Sequence, residues 1–98
     1  MRILGIDYGD SRIGVAVSDE GSRLAFGVCV VDASKGRKHA VTELLKLKEK
    51  YGAELAVIGL PSHLNGTKGD RAVVTEKFAG ALGEAAPDLA IVFEDERL

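Results

Sequence analysis

From Arg2 the chain reads Arg2-Ile3-Leu4-Gly5-Ile6, and Asp7 then closes a run in which every position after the arginine is apolar or glycine. A run this short suits a strand covered on both faces, with Asp7 emerging at its carboxyl edge. Gly9 permits a tight turn, and Ile13-Gly14-Val15-Ala16-Val17-Ser18 reads as a second strand returning antiparallel to the first. Open α/β sheets hold ligands at the carboxyl ends of their strands, so this hairpin presents an acid where a ligand would sit.

The remaining segments follow in a regular order. Ala25-Phe26-Gly27-Val28-Cys29-Val30-Val31 predicts a third strand, and Asp32 to Gly36 is a turn-rich break with Ser34 as the expected helix cap. The helix after it would bury Val41, Leu44, Leu45, Leu47 and Tyr51, keep most of its lysines off that stripe, and stop at Gly52. Leu55-Ala56-Val57-Ile58-Gly59-Leu60-Pro61 is continuously apolar and short, which predicts a central strand ended by proline. A polar loop from Ser62 to Gly69 leads to a second helix, with Asp70 as its expected cap and Val74, Phe78, Ala81, Leu82 and Ala85 on its buried side. Leu89-Ala90-Ile91-Val92-Phe93 supplies the fifth strand. With right-handed crossovers, the order β-β-β-α-β-α-β gives one domain with a five-stranded mixed sheet in the order 3-2-1-4-5, the ribonuclease-H-like α/β architecture. The ends of strands one, four and five then converge, and Asp7, the Gly59-Leu60-Pro61 segment and Asp95-Glu96 should be neighbours.

A chain of 98 residues, 46% hydrophobic and 29% charged, suits one globular domain with a small core. Its apolar runs are far too short for a membrane span and it opens without a signal-peptide pattern, so the cytoplasm is the expected location, with no membrane partner. Cys29 is the single cysteine, which excludes an internal disulfide, and its apolar neighbours predict burial. The net charge of −2 argues weakly against a polyanionic partner, but the charges are segregated. Lys35, Arg37, Lys38, Lys46, Lys48 and Lys50 share one segment, whereas Glu84, Asp88, Glu94, Asp95 and Glu96 collect toward the end. By pattern alone the lysines are a solvated helix face.

Carboxylates gathered at one sheet edge repel unless a cation lies between them, and hard oxygen donors select Mg²⁺ or Mn²⁺. Asp7 is the anchor of such a site, with Asp95 and Glu96 as the catalytic and metal-binding contribution from the fifth strand. Zinc lacks a framework, since His39, His63 and Cys29 are scattered over helix, loop and strand. His63 reads as a solvated loop histidine. Neither Ser18 nor Ser62 has the context of an acyl-transfer nucleophile. Asn65 to Arg71 combines glycines, a hydroxyl and basic groups at a helix N-terminus, which suits an anion. Lys68 and Arg71 are therefore candidate phosphate contacts, together with Arg12 and Arg97 nearer the acids.

Three segments, GIDYGDSRIGVAVSD from Gly5, VIGLPSHLNGTKGDRA from Val57 and EDERL from Glu94, resemble in content and order the signatures of the YqgF/RuvX family, relatives of the RuvC Holliday-junction resolvases. The resemblance implies a ribonuclease-H-like fold, a divalent metal and nuclease activity, bacterial members being assigned to maturation of the 5′ end of 16S ribosomal RNA. It matches the aspartate of the opening signature to Asp7 and the acidic pair of the last to Asp95 and Glu96. His63-Leu64-Asn65-Gly66 departs from the family's usual Asn-Met-Asp-Gly and loses an acid beside the site. Family members continue beyond the last signature into a helix bearing a third aspartate. The resemblance therefore implies that residues 1–98 are an incomplete single domain, whose exposed sheet face a second copy or another partner would cover.

The expected function is an Mg²⁺- or Mn²⁺-dependent nuclease acting on precursor ribosomal RNA. A Holliday-junction resolvase acting on branched DNA would use the same residues, and a non-catalytic nucleic-acid-binding module is the reading from another class. Actin-like ATPases and sugar kinases also place an aspartate near glycine after a first strand, but they need a second domain that 98 residues cannot supply.

Overall fold

The computed structural model describes residues 2–9, 11–18, 25–60 and 70–95, the side chains of residues 25–28, 60, 70 and 95 excepted. The chain forms β1 (Arg2–Tyr8), β2 (Arg12–Ser18), β3 (Ala25–Asp32), a 3-10 turn (Ala33–Lys35), α1 (Arg37–Tyr51), β4 (Ala53–Leu60), α2 (Asp70–Ala85) and β5 (Ala90–Asp95). All five strands join one sheet in the order β3-β2-β1-β4-β5. β2 is antiparallel to both its neighbours, while β1, β4 and β5 run parallel. This is the ribonuclease-H-like arrangement that the element order predicts. The loop from Pro61 to Gly69, with its expected turn residues, lies outside the described residues.

Successive side chains of a strand face opposite sides, and only one side of this sheet is covered by the described helices. Leu4, Ile6, Ile13, Val15, Val17 and Ile58 are buried there against Val41 and Leu44 of α1 and Phe78 and Leu82 of α2. β1 therefore departs from the expectation of two covered faces: Leu4 and Ile6 are buried, Ile3 and Gly5 half-buried, and Asp7 exposed. Its run looks continuous because Ile3 and Gly5, rather than polar side chains, occupy the other face before Asp7. β1 also extends one residue further than expected, through Tyr8, so Asp7 is its last residue but one.

Capping and burial on the helices differ from expectation in two places, the cap before α1 and the stripe of α2. The Asp32 carboxylate accepts hydrogen bonds from the Ser34 N–H at 2.9 Å and the Ser34 hydroxyl at 2.6 Å, so Asp32 caps the 3-10 turn, and the cap position of α1 itself is Gly36, without a side-chain hydrogen bond. Those bonds hold the Asp32 carboxyl below its ordinary range. α1 ends where expected, at Gly52, which adopts left-handed geometry with φ 65° and donates its N–H to the Lys48 carbonyl. One lysine of α1 joins the covered side: Lys48 is 8% exposed, and its Nζ lies 3.0 Å from an Asp88 carboxylate oxygen. In α2 the buried stripe is Ala72, Thr75, Phe78, Ala79 and Leu82, while Val74 is 48% exposed. Thr75 takes a core position because its hydroxyl donates to the Arg71 carbonyl at 2.8 Å, which removes the penalty for burying it.

Cys29 is exposed, against the expectation of burial. β3 is an edge strand, and between Val15 and Ala16 its pairing with β2 shifts register, so Cys29 faces Val15 while Gly27 faces Ala16. An apolar run on such an edge does not imply enclosure.

Candidate functional site

Asp7 owes its position to a tight hairpin. The Gly9 N–H donates to the Arg12 carbonyl at 2.9 Å, and a Cβ on Gly9 would stand 2.5 Å from that same oxygen, so this turn needs glycine. The register that follows sets Asp7 opposite Gly14 and Gly5 opposite Ala16. Arg12, two residues before Gly14, belongs to the same face of the sheet and is exposed.

Because Gly5, Gly14 and Ala16 carry little or no side chain, and Gly59 of β4 continues the row, the face that the helices do not cover is hollow. The resulting cavity, of about 440 Å³, is lined by Asp7 and by Glu94 of β5 across Gly59 and Val57. Register explains the second acid: Gly59 pairs with Glu94 and Leu60 with Asp95, which brings the end of β5 beside the end of β4. The predicted convergence of strands one, four and five is thus present at Asp7, Gly59 and Glu94.

Glu94 is the residue that sequence reasoning missed. The apolar run predicts a fifth strand ending at Phe93, whereas β5 runs to Asp95, and alternation from Val92 then carries Glu94 to the hollow face. The signal was the strand period, had the strand been extended by two residues. Asp95 is described only in its backbone, and Glu96, Arg97 and Lys68 lie outside the described residues.

Arg71 is engaged with the same hairpin. Its Nη2 donates to the Tyr8 carbonyl at 2.8 Å. The Tyr8 ring lies 4.6 Å from the Phe78 ring between centroids, tilted by 31°. Among the described residues no group of three or more His, Cys, Asp or Glu side chains is arranged to hold a metal ion. The two carboxylates of the hollow are nonetheless hard oxygen donors, which fit Mg²⁺ or Mn²⁺ and do not fit a thiolate-seeking ion. No described helix is long and apolar enough to cross a membrane.

Comparison with known proteins gives the family and agrees with the fold. The family model RuvX, described as Holliday junction resolvase, matches residues 1–98. A relative from Ruminiclostridium cellulolyticum, named "Putative pre-16S rRNA nuclease", is 44% identical over 98 residues, covering 100% of this chain and 68% of its own. Among solved structures, Thermus thermophilus RuvC superposes with a TM-score of 0.68 at 18% identity, over 97% of this chain and 64% of that one. The same enzyme in complex with a Holliday junction substrate gives a TM-score of 0.68 at 17% identity, over 98% of this chain and 65% of that one. This chain therefore spans less than two thirds of the RuvC chain, and at such identity the likeness speaks for the fold. With the family model matched from the first residue to the last, and 44% identity to a relative along the whole chain, this protein belongs to the RuvX family.

Proposed function

We propose that this chain is a divalent-metal-dependent nuclease that processes the 5′ end of precursor 16S ribosomal RNA. The observation that carries the reading is the meeting of Asp7 and Glu94 in one glycine-lined hollow at the ends of parallel strands, in a member of a family whose relatives are named nucleases. Asp7 and Glu94 would hold Mg²⁺ or Mn²⁺, with Asp95 and Glu96 as further carboxylates at the same strand end. When bound, such an ion polarises a phosphoryl oxygen and makes water more acidic. The small residues Gly5, Gly14 and Gly59 leave room for a phosphodiester to approach the acids. Arg12 shares the Asp7 face and would neutralise backbone phosphates, and Lys68 and Arg97 are the further cations proposed for that role.

Asp7→Asn should keep the fold and lower Mg²⁺- or Mn²⁺-dependent cleavage by about a hundredfold or more, since even partners of metal ligands cost up to that much when removed. Glu94→Gln tests the acid assigned from the strand register. Undiminished cleavage by Asp7→Asn would end the assigned role, and undiminished cleavage by Glu94→Gln would return the fifth-strand contribution to Asp95 and Glu96. Resolution of Holliday junctions is the second reading, favoured by the family description and by the likeness to junction-bound RuvC. Offering one preparation a precursor-rRNA 5′ leader and a four-way DNA junction separates the two.

A further inference from the structure

β1 outruns one of its neighbours. Its parallel pairing with β4 ends at Ile6 opposite Ile58, whereas its antiparallel pairing with β2 continues to Tyr8 opposite Ile13. The Gly9 to Arg12 hydrogen bond identifies which residues of β1 bond to β2. In an antiparallel pair the bonded residues alternate, so Gly5, Asp7 and Gly9 bond to β2, while Leu4, Ile6 and Tyr8 turn their backbone groups toward β4. The Tyr8 carbonyl thus points to the side where β4 pairing has stopped. Arg71 fills that place, its Nη2 donating to the Tyr8 oxygen at 2.8 Å.

Two further contacts make this a fixed point. Phe78, two helical turns along α2 from Arg71 and fully buried, packs its ring on that of Tyr8. The Thr75 hydroxyl, also fully buried, donates to the Arg71 carbonyl and ties down the turn from which the guanidinium projects. α2 therefore grips the last residue of β1 by backbone and by side chain, and Asp7 is the residue immediately before it.

We propose that Arg71 is a positioning residue: it stands in for β4 at the end of β1 and so holds the Asp7 carboxylate in place for a divalent cation. This rests on the metal-dependent reading above and reassigns Arg71 from the phosphate contact expected of it. A carboxylate on a strand end gripped from one side only would swing, and ligands must be held to within about 0.5 Å of their working geometry. A guanidinium suits the task because it stays charged at any working pH and donates from a rigid plane.

The test compares wild type, Arg71→Gln, Arg71→Lys and Asp7→Asn in three measurements: Mn²⁺ binding by electron paramagnetic resonance, amide exchange at Tyr8 and Gly9, and the salt dependence of nucleic-acid binding in EDTA. Arg71→Gln should weaken Mn²⁺ binding about tenfold, as loss of a ligand's supporting partner does. It should also speed exchange at Tyr8 and Gly9 while leaving Leu4 protected, and it should leave the salt slope unchanged. Arg71→Lys, which still donates one hydrogen bond, should recover part of the loss. Wild-type Mn²⁺ binding in Arg71→Gln, with a salt slope reduced by about one, would overturn the proposal and restore the phosphate contact. Unchanged exchange at Tyr8 and Gly9 would likewise overturn the grip on β1. If wild type itself binds no Mn²⁺, or Asp7→Asn binds it equally well, the metal-dependent reading falls, and with it the purpose assigned to Arg71.

Discussion

Gly9 and Gly14 flank the same turn and should respond differently to substitution. At Gly9 a methyl group would meet the Arg12 backbone oxygen at 2.5 Å, and backbone held by the Gly9 to Arg12 hydrogen bond has little room to move. Gly9→Ala should therefore cost about 1–3 kcal/mol, the range for locally strained backbone, read as a shift in urea midpoint. At Gly14 the nearest atom is Asp7 Cβ at 3.8 Å, an ordinary contact, so Gly14→Ala should leave stability within about 0.5 kcal/mol of wild type. A midpoint lowered equally by both would show that the turn does not depend on the close approach at Gly9. The Lys48–Asp88 pair has a pH signature. Asp88 titrates below its ordinary value, chiefly because Lys48 donates to it, and Lys48 titrates above its own, chiefly because of the same bond. A depressed acid contributes stability that is complete above its unfolded value and fades as pH falls through the folded one. A raised base contributes until pH climbs through its folded value. Asp88→Asn should accordingly lower the urea midpoint modestly at neutral pH, with the gap closing in acid as Asp88 of the wild type becomes protonated. A gap of constant size would assign the loss to something other than the ion pair.

Among the elements, α2 is the one whose orientation decides most. With Phe78 fully buried, Phe78→Ala should cost about 3–5 kcal/mol. Val74, 48% exposed, should tolerate Val74→Ser within about 0.5 kcal/mol. Chemical denaturation of the two variants checks the facing directly, and comparable losses would mean that the helix is rotated toward Val74. Periodicity located this helix and its end before Pro87 but put its stripe one residue out, because hydropathy alone does not reveal that Thr75 satisfies its own hydroxyl within the helix. The edge strand β3 failed for the complementary reason. Its apolar run is real, yet nothing in a run says whether the strand lies inside a sheet or on its margin. Native protein should therefore react with iodoacetamide at Cys29 without denaturant, whereas protection lifted only by denaturant would mean that the thiol is enclosed.

At the scale of the whole molecule, a net charge of −2 means that nucleic-acid binding has to come from a local patch rather than from overall attraction. Arg12→Glu and Lys68→Glu should weaken binding at low salt and lessen its salt dependence. Lys46→Glu serves as the control, since Lys46 is exposed on α1 and pairs with Glu43 at 3.0 Å; a stronger effect there would move the substrate onto the helical side. Lys48 cannot serve, being tied to Asp88. The element types and their order, the turn at Gly9, the stop at Gly52 and the acid at position 7 were legible in the sequence, because each depends on a short-range period or on local sterics. Sheet order followed from crossover handedness and the number of strands. What only the tertiary structure decided was partnership: Glu94 and Asp7 lining one hollow across β4, Lys48 against Asp88, Arg71 on the Tyr8 carbonyl, and Cys29 left at an edge. Each of these depends on where a neighbouring strand or helix stops and which face it turns, and such distances between remote segments are set by the packing of the whole sheet, not by any stretch of chain read alone.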